Sequence, residues 1–169
     1  MKINIIATGS AGNLYELVDS EGNSMVIEAG APRATFVKYR IGKIPPEMCI
    51  ISHSHSDHAQ YKGEFQAVMP TFLAQEKNVS ENWKAFGFDL NHGDARTTTF
   101  LIKSLVENKF LYFATDIQYD EETSSVCDIL NELSVENFLI ECNYNDYLFH
   151  LATDEQRIGC SRHLSDNLS

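Results

Sequence analysis

The stretch ISHSHSDHAQ, residues 51–60, places His53, His55 and His58, three of the chain's six histidines, together with Asp57 within six consecutive positions. Neighbouring imidazoles repel one another once protonated and add little to a core, so a surface that only has to be wet gains nothing from such crowding. Ring nitrogens mixed with one carboxylate are the donor set a divalent cation takes, zinc first, with iron, manganese or nickel allowed by geometry. A solvated patch or a purification tag is the bland alternative. Tags are unbroken runs at chain ends, whereas this cluster is internal, spaced and contains an aspartate.

What precedes the cluster would aim it. EMCIIS reads as a buried strand, and residues leaving a strand are still extended, so His53 and His55 point to one side at a period of two. Ser56 is then expected to cap a helix or turn whose first residues swing Asp57 and His58 back toward the same space. A metal held this way needs one more donor from a distant segment if it is to keep an open, reactive position. His92, in FDLNHGDA, follows a β-like run and precedes a glycine suited to a turn; His163 is a further candidate. His150, in YLFHLAT, sits in an apolar helical pattern and reads as a packed helix histidine.

The rest of the chain bounds what such a site could serve. A length of 169 residues with 43% hydrophobic content is enough for one domain, 1–169, with a real core. A net charge of −11 opposes docking on duplex nucleic acid or an anionic membrane; any polyanion must be attracted locally, as bound cations can do. Arg33, Lys38 and Arg40 in APRATFVKYR form the only local basic run, read as a solvated helix. Cys49, Cys127, Cys142 and Cys160 show neither a Cys-x-x-Cys pair nor tight spacing, which argues against a zinc ribbon or disulfide framework and for a reducing cytoplasm. MKINIIATGS is too short in its apolar part for a signal peptide, and no run reaches the roughly 20 apolar residues of a membrane span. A soluble, cytoplasmic protein without membrane contact is expected.

KINIIA, NLYELV and SMVIE are β-favouring runs separated by turn residues and predict an opening antiparallel meander. TTTFLIKSLV and KFLYFAT flank Glu107-Asn108 as a hairpin, and NFLIEC reads as another strand. Helices are expected in PTFLAQEKN, ETSSVCDILNEL, with Thr123 as N-cap, and DYLFHLATDEQRI. Strands first and helices between later strands predict a layered α/β (α+β) sandwich.

With these residues in view, the sequence resembles the metallo-β-lactamase-fold hydrolases. Their His-x-His-x-Asp-His signature is met by His53, His55, Asp57 and His58; TGSAGN resembles the opening turn, VIEAG the strand before the first acidic position, and FATDIQ the bridging-aspartate strand. IECNYND and SRHLSDN resemble motifs of the phosphodiesterase branch, which includes tRNase Z, small bacterial exonuclease-like proteins and phage cyclic-nucleotide phosphodiesterases. The resemblance implies an αββα sandwich, with His53, His55 and His92 on one metal, Asp57 and His58 on a second, and Asp116 bridging. It implies one or two Zn²⁺ ions, with Mn²⁺ or Fe as alternatives. Beside Asp57, it implies Glu141 and His163 for catalysis: His163 protonating the leaving oxygen and Glu141 orienting it. The substrate class implied is a nucleotide or a nucleic acid end; the acidic surface favours small or single-stranded substrates. A thioesterase or lactonase would share every ligand, and a non-catalytic metal-binding descendant is the third reading.

The departures from the pattern are specific. Glu28 stands where the family commonly has Asp, Tyr144 replaces a His, and Arg162 replaces the Gly before His163. Family members usually continue to one more strand bearing a last His for the second metal, while this sequence ends at Ser169. Either the second site is incomplete and weaker, or another subunit contributes the missing donor, or His163 serves as a ligand instead of an acid, or the sequence is a truncation. A sheet short of its last strand and helix would present an open face that favours a homo-oligomer.

Overall fold

The computed structural model describes residues 1–92, 95–117 and 121–140. The first sheet is built from β1 (Lys2–Ala7), β2 (Leu14–Val18), β3 (Ser24–Ile27), β4 (Cys49–Ile51) and β5 (Thr71–Leu73), in that spatial order. Between them lie α1 (Arg33–Tyr39) and two short helices, α2 (Ser56–Ala59) and α3 (Lys62–Gln66). The second sheet contains β6 (Lys77–Val79), β7 (Trp83–His92), β8 (Ala95–Ser104), β9 (Lys109–Ala114) and, after α4 (Glu121–Glu132), β10 (Phe138–Ile140), ordered β10-β9-β8-β7-β6.

Both sheets are mixed, and the connections explain why. Short loops, residues 8–13 and 19–23, join β1, β2 and β3 as an antiparallel meander, whereas β3, β4 and β5 run parallel. Parallel neighbours need a crossover, which α1 and then α2 with α3 provide. In the second sheet β7 and β8 pair over their full length, Trp83 opposite Ser104 through to His92 opposite Ala95. β9 continues the antiparallel order, and β10 returns parallel after α4.

The sheets face one another across an apolar core: Tyr15, Leu17, Met25, Ile27, Met48 and Ile50 from the first against Trp83, Ala85, Phe100, Ile102, Leu111 and Phe113 from the second. Phe36 of α1 and Phe65 of α3 cover the outer face of the first sheet, packing with Leu14, Val26 and Ile51. Val126 and Leu130 of α4 cover Leu90, Leu101 and Tyr112 on the second. Covered on both sides, β2, β3 and β4 are buried at every position, which is why they read as near-continuous apolar runs and not as alternating ones. The layering is helix, sheet, sheet, helix. No helix among the described residues is long and apolar enough to cross a membrane.

Three local expectations are corrected. PTFLAQEKN is not helical; it holds β5 and β6, because Thr71, Phe72 and Leu73 pair with Cys49, Ile50 and Ile51 at the sheet edge, and tertiary pairing outweighs a weak helical pattern. Ser56 is the first residue of α2 and not its cap; His55 occupies the cap position, its carbonyl accepting from Ala59 N–H at 2.9 Å. Thr123 is likewise inside α4, which begins at Glu121. Arg40 uses its guanidinium to hold the loop that follows α1, donating to Gly42 O at 2.9 Å and to Ile44 O, while Arg33 and Lys38 lie on the helix α1 as expected. The DYLFHLATDEQRI segment lies outside the described residues.

Candidate metal centre

The candidate side chains sit at strand ends or at the start of the short helix α2. His53 follows β4 by two residues, and His55, Asp57 and His58 occupy the cap and first turn of α2. His92 is the last residue of β7, and Asp116 follows β9 by two residues. Glu28 is the first residue past β3 and Asn13 the last before β2. Both Asp116 (φ 50°) and Glu28 (φ 65°) leave their strands through the left-handed region, a conformation uncommon for residues with a Cβ.

Backbone contacts hold α2 against the first sheet. Asn13 N–H donates to Asp57 O at 2.7 Å, Gly30 N–H to Asn13 O at 2.9 Å, and Ala29 N–H to His58 O at 2.8 Å. This closeness requires glycine at two positions: a Cβ on Gly30 would lie 1.7 Å from Asp57 O, and one on Gly12 (φ 135°) 2.3 Å from Gly30 O.

The side chains converge in two groups that share Asp116: His53, His55, His92 and Asp116, and Asp57, His58 and Asp116, with one ligand atom of each residue within 4.8 Å of the others in its group. In the first, His53 Nε2 is 3.0 Å from His55 Nδ1 and 3.6 Å from Asp116 Oδ2. The ring of His92 lies 5.4 Å from that of His53 and 5.2 Å from that of His55, centre to centre. In the second, His58 Nε2 is 3.0 Å from Asp116 Oδ2 and 3.2 Å from Asp57 Oδ2. Ligand atoms around a tetrahedral zinc, each 2.0–2.1 Å from the metal, lie about 3.3 Å apart. The separations fit a small divalent cation, and the donors are of the right chemistry.

The electrostatics agree with that fit. His53 Nδ1 is held by Ser52 Oγ at 2.9 Å and by Thr97 Oγ1 at 3.4 Å, leaving Nε2 for the centre. Burial, then the charges of His58 and His55, lower His53 to about 4 against a pull from Asp116; the ring is neutral, as a metal ligand must be. His58 goes the other way. Burial alone would lower it, but the hydrogen bond to Asp116 and the nearby charges of Glu28 and Asp57 prevail and push it up to about 10. Its Nδ1 faces Glu28 Oε1 at 3.5 Å, too long and poorly aligned for a good hydrogen bond. Burial raises the Glu28 carboxyl, opposed by His58 and by Ser52 N–H. With three carboxylates around one imidazole, the proton belongs on His58, where it supplies the positive charge a cation would bring.

No protein-family model and no curated protein matches the chain. Solved structures do. The metallo-β-lactamase fold protein YhfI of Bacillus subtilis aligns with a TM-score of 0.56 at 14% identity, over 84% of this chain and 71% of that one. The short form of human tRNase Z aligns with a TM-score of 0.61 at 12% identity, over 90% of this chain and 82% of that one. The chain has the metallo-β-lactamase fold. The BLEG-1 B3 metallo-β-lactamase aligns at 0.52 and 12% identity, over 85% of this chain and 92% of that one. At such identities the likeness is one of backbone, and the chemistry of this metallo-β-lactamase-fold chain has to be read from its own side chains.

All six expected ligands, His53, His55, Asp57, His58, His92 and Asp116, lie at this one place. Glu141 and His163 lie outside the described residues. Sequence reasoning missed the supporting partners. Ser52 and Thr97 gave no signal beyond adjacency to a ligand and membership of a threonine run. Asn13 was legible only as part of a turn, yet its Nδ2 stands 3.2 Å from His58 Nε2.

Proposed function

We propose that this chain is a metal-dependent hydrolase and, more finely, a phosphodiesterase acting on small or cyclic nucleotides or on single-stranded nucleic acid ends. The observation that carries the reading is the sharing of Asp116 by two donor groups, one rich in imidazole and one in carboxylate. Divalent cations held in such a pair supply Lewis acidity to a phosphoryl oxygen and acidify an attacking water. Zn²⁺ suits the donors best, with Mn²⁺ or Fe as alternatives.

The chain's own residues do the rest. Ser52 and Thr97 orient His53, Glu28 backs His58, and Asp57, 30% exposed where His58 is 1% exposed, stands on the solvent side of the pair. His163, oriented by Glu141, protonates the leaving oxygen. The net charge of −11 disfavours long duplexes, and tRNase Z, a nuclease by name, shares the fold. The reading places a single-domain protein in the cytoplasm, self-associated and away from membranes.

A panel of bis-p-nitrophenyl phosphate, cyclic nucleotides, single-stranded DNA and a lactone, each with and without Zn²⁺ or Mn²⁺, tests it. Metal-dependent cleavage of a phosphodiester is expected. Cleavage of the lactone alone would favour the second reading, a hydrolase of another bond class, which BLEG-1, a β-lactamase by name on the same fold, supports. No cleavage under any metal would leave a metal-binding protein without turnover. A monomer by light scattering at micromolar concentration would refute the self-association.

A further inference from the structure

Asn13 belongs to neither donor group, yet it is fully buried, at 0% exposure, with its carboxamide turned toward one of them. Its backbone is fixed on both sides, by Asp57 O and by Gly30 N–H. Its Oδ1 accepts from Gly9 N–H at 2.9 Å and from Tyr15 OH at 3.3 Å. Those two donors settle which end of the amide is oxygen. Nδ2, which only donates, therefore points at His58 Nε2, 3.2 Å away.

That nitrogen is a poor acceptor to rely on. His58 Nε2 faces Asp116 Oδ2 at 3.0 Å and Asp57 Oδ2 at 3.2 Å, so with a proton on it that nitrogen donates to those carboxylates and offers Asn13 no acceptor, and without one it has a single lone pair. Once the pair is given to a cation, the Asn13 N–H has no acceptor at this contact, and a buried donor without one is costly. The oxygens beside it belong to carboxylates, which repel an incoming anion; a neutral amide N–H does not. Asp57 is 30% and Asp116 9% exposed, so solvent reaches the carboxylates beside this contact.

We infer that Asn13 binds substrate: its carboxamide N–H donates to an anionic oxygen of the phosphoryl group on the Asp57/His58 side of the centre. The inference rests on the phosphodiesterase reading and deepens it by naming a protein donor for the phosphoryl group. A structural role for Asn13, merely steadying His58, makes a different prediction, because metal affinity would then fall with the side chain.

The test uses the full chain loaded with Zn²⁺ or Mn²⁺, comparing wild type with Asn13→Ala and Asn13→Asp. Metal affinity is read by chelator competition, inorganic phosphate binding by calorimetry, and kcat and KM on bis-p-nitrophenyl phosphate. Asn13→Ala is expected to hold metal within about threefold of wild type while phosphate affinity and kcat/KM fall about tenfold to a hundredfold, the worth of a hydrogen bond to a charged group. Asn13→Asp keeps the acceptor for Gly9 and Tyr15 but puts an oxygen where the donor was; it should bind phosphate more weakly still, and it keeps the test valid if the alanine variant does not fold. Phosphate affinity equal to wild type in the folded variants, or a loss of metal that parallels the loss of phosphate in Asn13→Ala, overturns the inference and leaves the phosphodiesterase reading intact. A wild-type protein that holds metal but neither binds phosphate nor cleaves any phosphodiester overturns both.

Discussion

Zinc added to the metal-free protein should expel about one proton at the weaker of its two binding events, and that proton should come from His58. Three carboxylates face this ring: Asp116 at 3.0 Å, Asp57 at 3.2 Å and Glu28 at 3.5 Å. They raise it to about 10 from a reference of 6.5. Near pH 7 the imidazolium is favoured by three pH units, about 4 kcal/mol or a thousandfold, and a cation reaches Nε2 only by displacing that proton. Affinity at the Asp57/His58/Asp116 group should therefore rise about tenfold per pH unit from neutrality toward the folded-state value. His53, lowered to about 4, carries no proton to displace at neutral pH, so its own ionisation adds no such slope to the other group. The same shifts set the stability of the metal-free fold. A raised histidine stabilises fully below its unfolded value of 6.5 and loses that contribution as pH climbs through about 10, whereas lowered His53 contributes above 6.5 and loses it as pH falls through about 4. Titration calorimetry in buffers of different ionisation enthalpy counts the protons, and chelator competition from pH 6 to 8 gives the slope. Weaker-phase binding with no proton released, or with an affinity flat in pH, would refute the reasoning; so would an unchanged proton count in His58→Ala.

The first ion should be held tightly and the second weakly in protein purified without added zinc, since the described donors number four in one group and three in the other; metal analysis giving two tightly held ions per chain would contradict this. Asp116→Ala and His55→Ala should abolish hydrolysis, checked by turnover alongside an unchanged far-UV circular dichroism spectrum. His163→Ala should slow hydrolysis without releasing the tight ion, and release of that ion would mean that His163 is a ligand. Gly30→Ala should lower stability by about 3 kcal/mol or more by denaturant titration, because its Cβ would fall 1.7 Å from Asp57 O and the backbone must move to admit it.

How much of this was readable beforehand differs from residue to residue for physical reasons. His53, His55, Asp57 and His58 declared themselves because strand and helix-turn periodicities act over a few residues, and those periodicities alone bring the side chains together. His92 was legible as a strand end beside a glycine. Asp116 had no such signature: an aspartate after an apolar strand reads as a turn residue, and its φ of 50° is that of a turn as well as of the site. It was reached through the resemblance. Glu28 looked like a lengthened Asp, and neither its φ of 65° nor its burial against His58 follows from local pattern. PTFLAQEKN failed for the opposite reason, a local helical pattern overruled by pairing with β4. Asn13 was legible only as the end of the TGSAGN turn, since what distinguishes it is a contact 45 residues away in sequence.

The location of the site explains why its donors come from so many segments. The two sheets are joined there by backbone, Thr98 N–H donating to Ser52 O at 3.0 Å, and by side chain, Thr97 Oγ1 reaching toward both His53 and Thr115 O. His53, His55, Asp57 and His58 hang from the first sheet, while His92 and Asp116 come from the second, so both donor groups straddle the joint. A cation bound by either group is therefore a clamp between sheets, and its binding free energy adds to the free energy of holding them together. Without it, Asp57, Asp116 and Glu28 surround a single imidazole, and the proton on His58 is what makes their approach tolerable. The same carboxylates that make the site attractive to a metal make the metal-free joint depend on that proton, so raising the pH should loosen the sheets in the absence of metal under the very conditions that tighten metal binding.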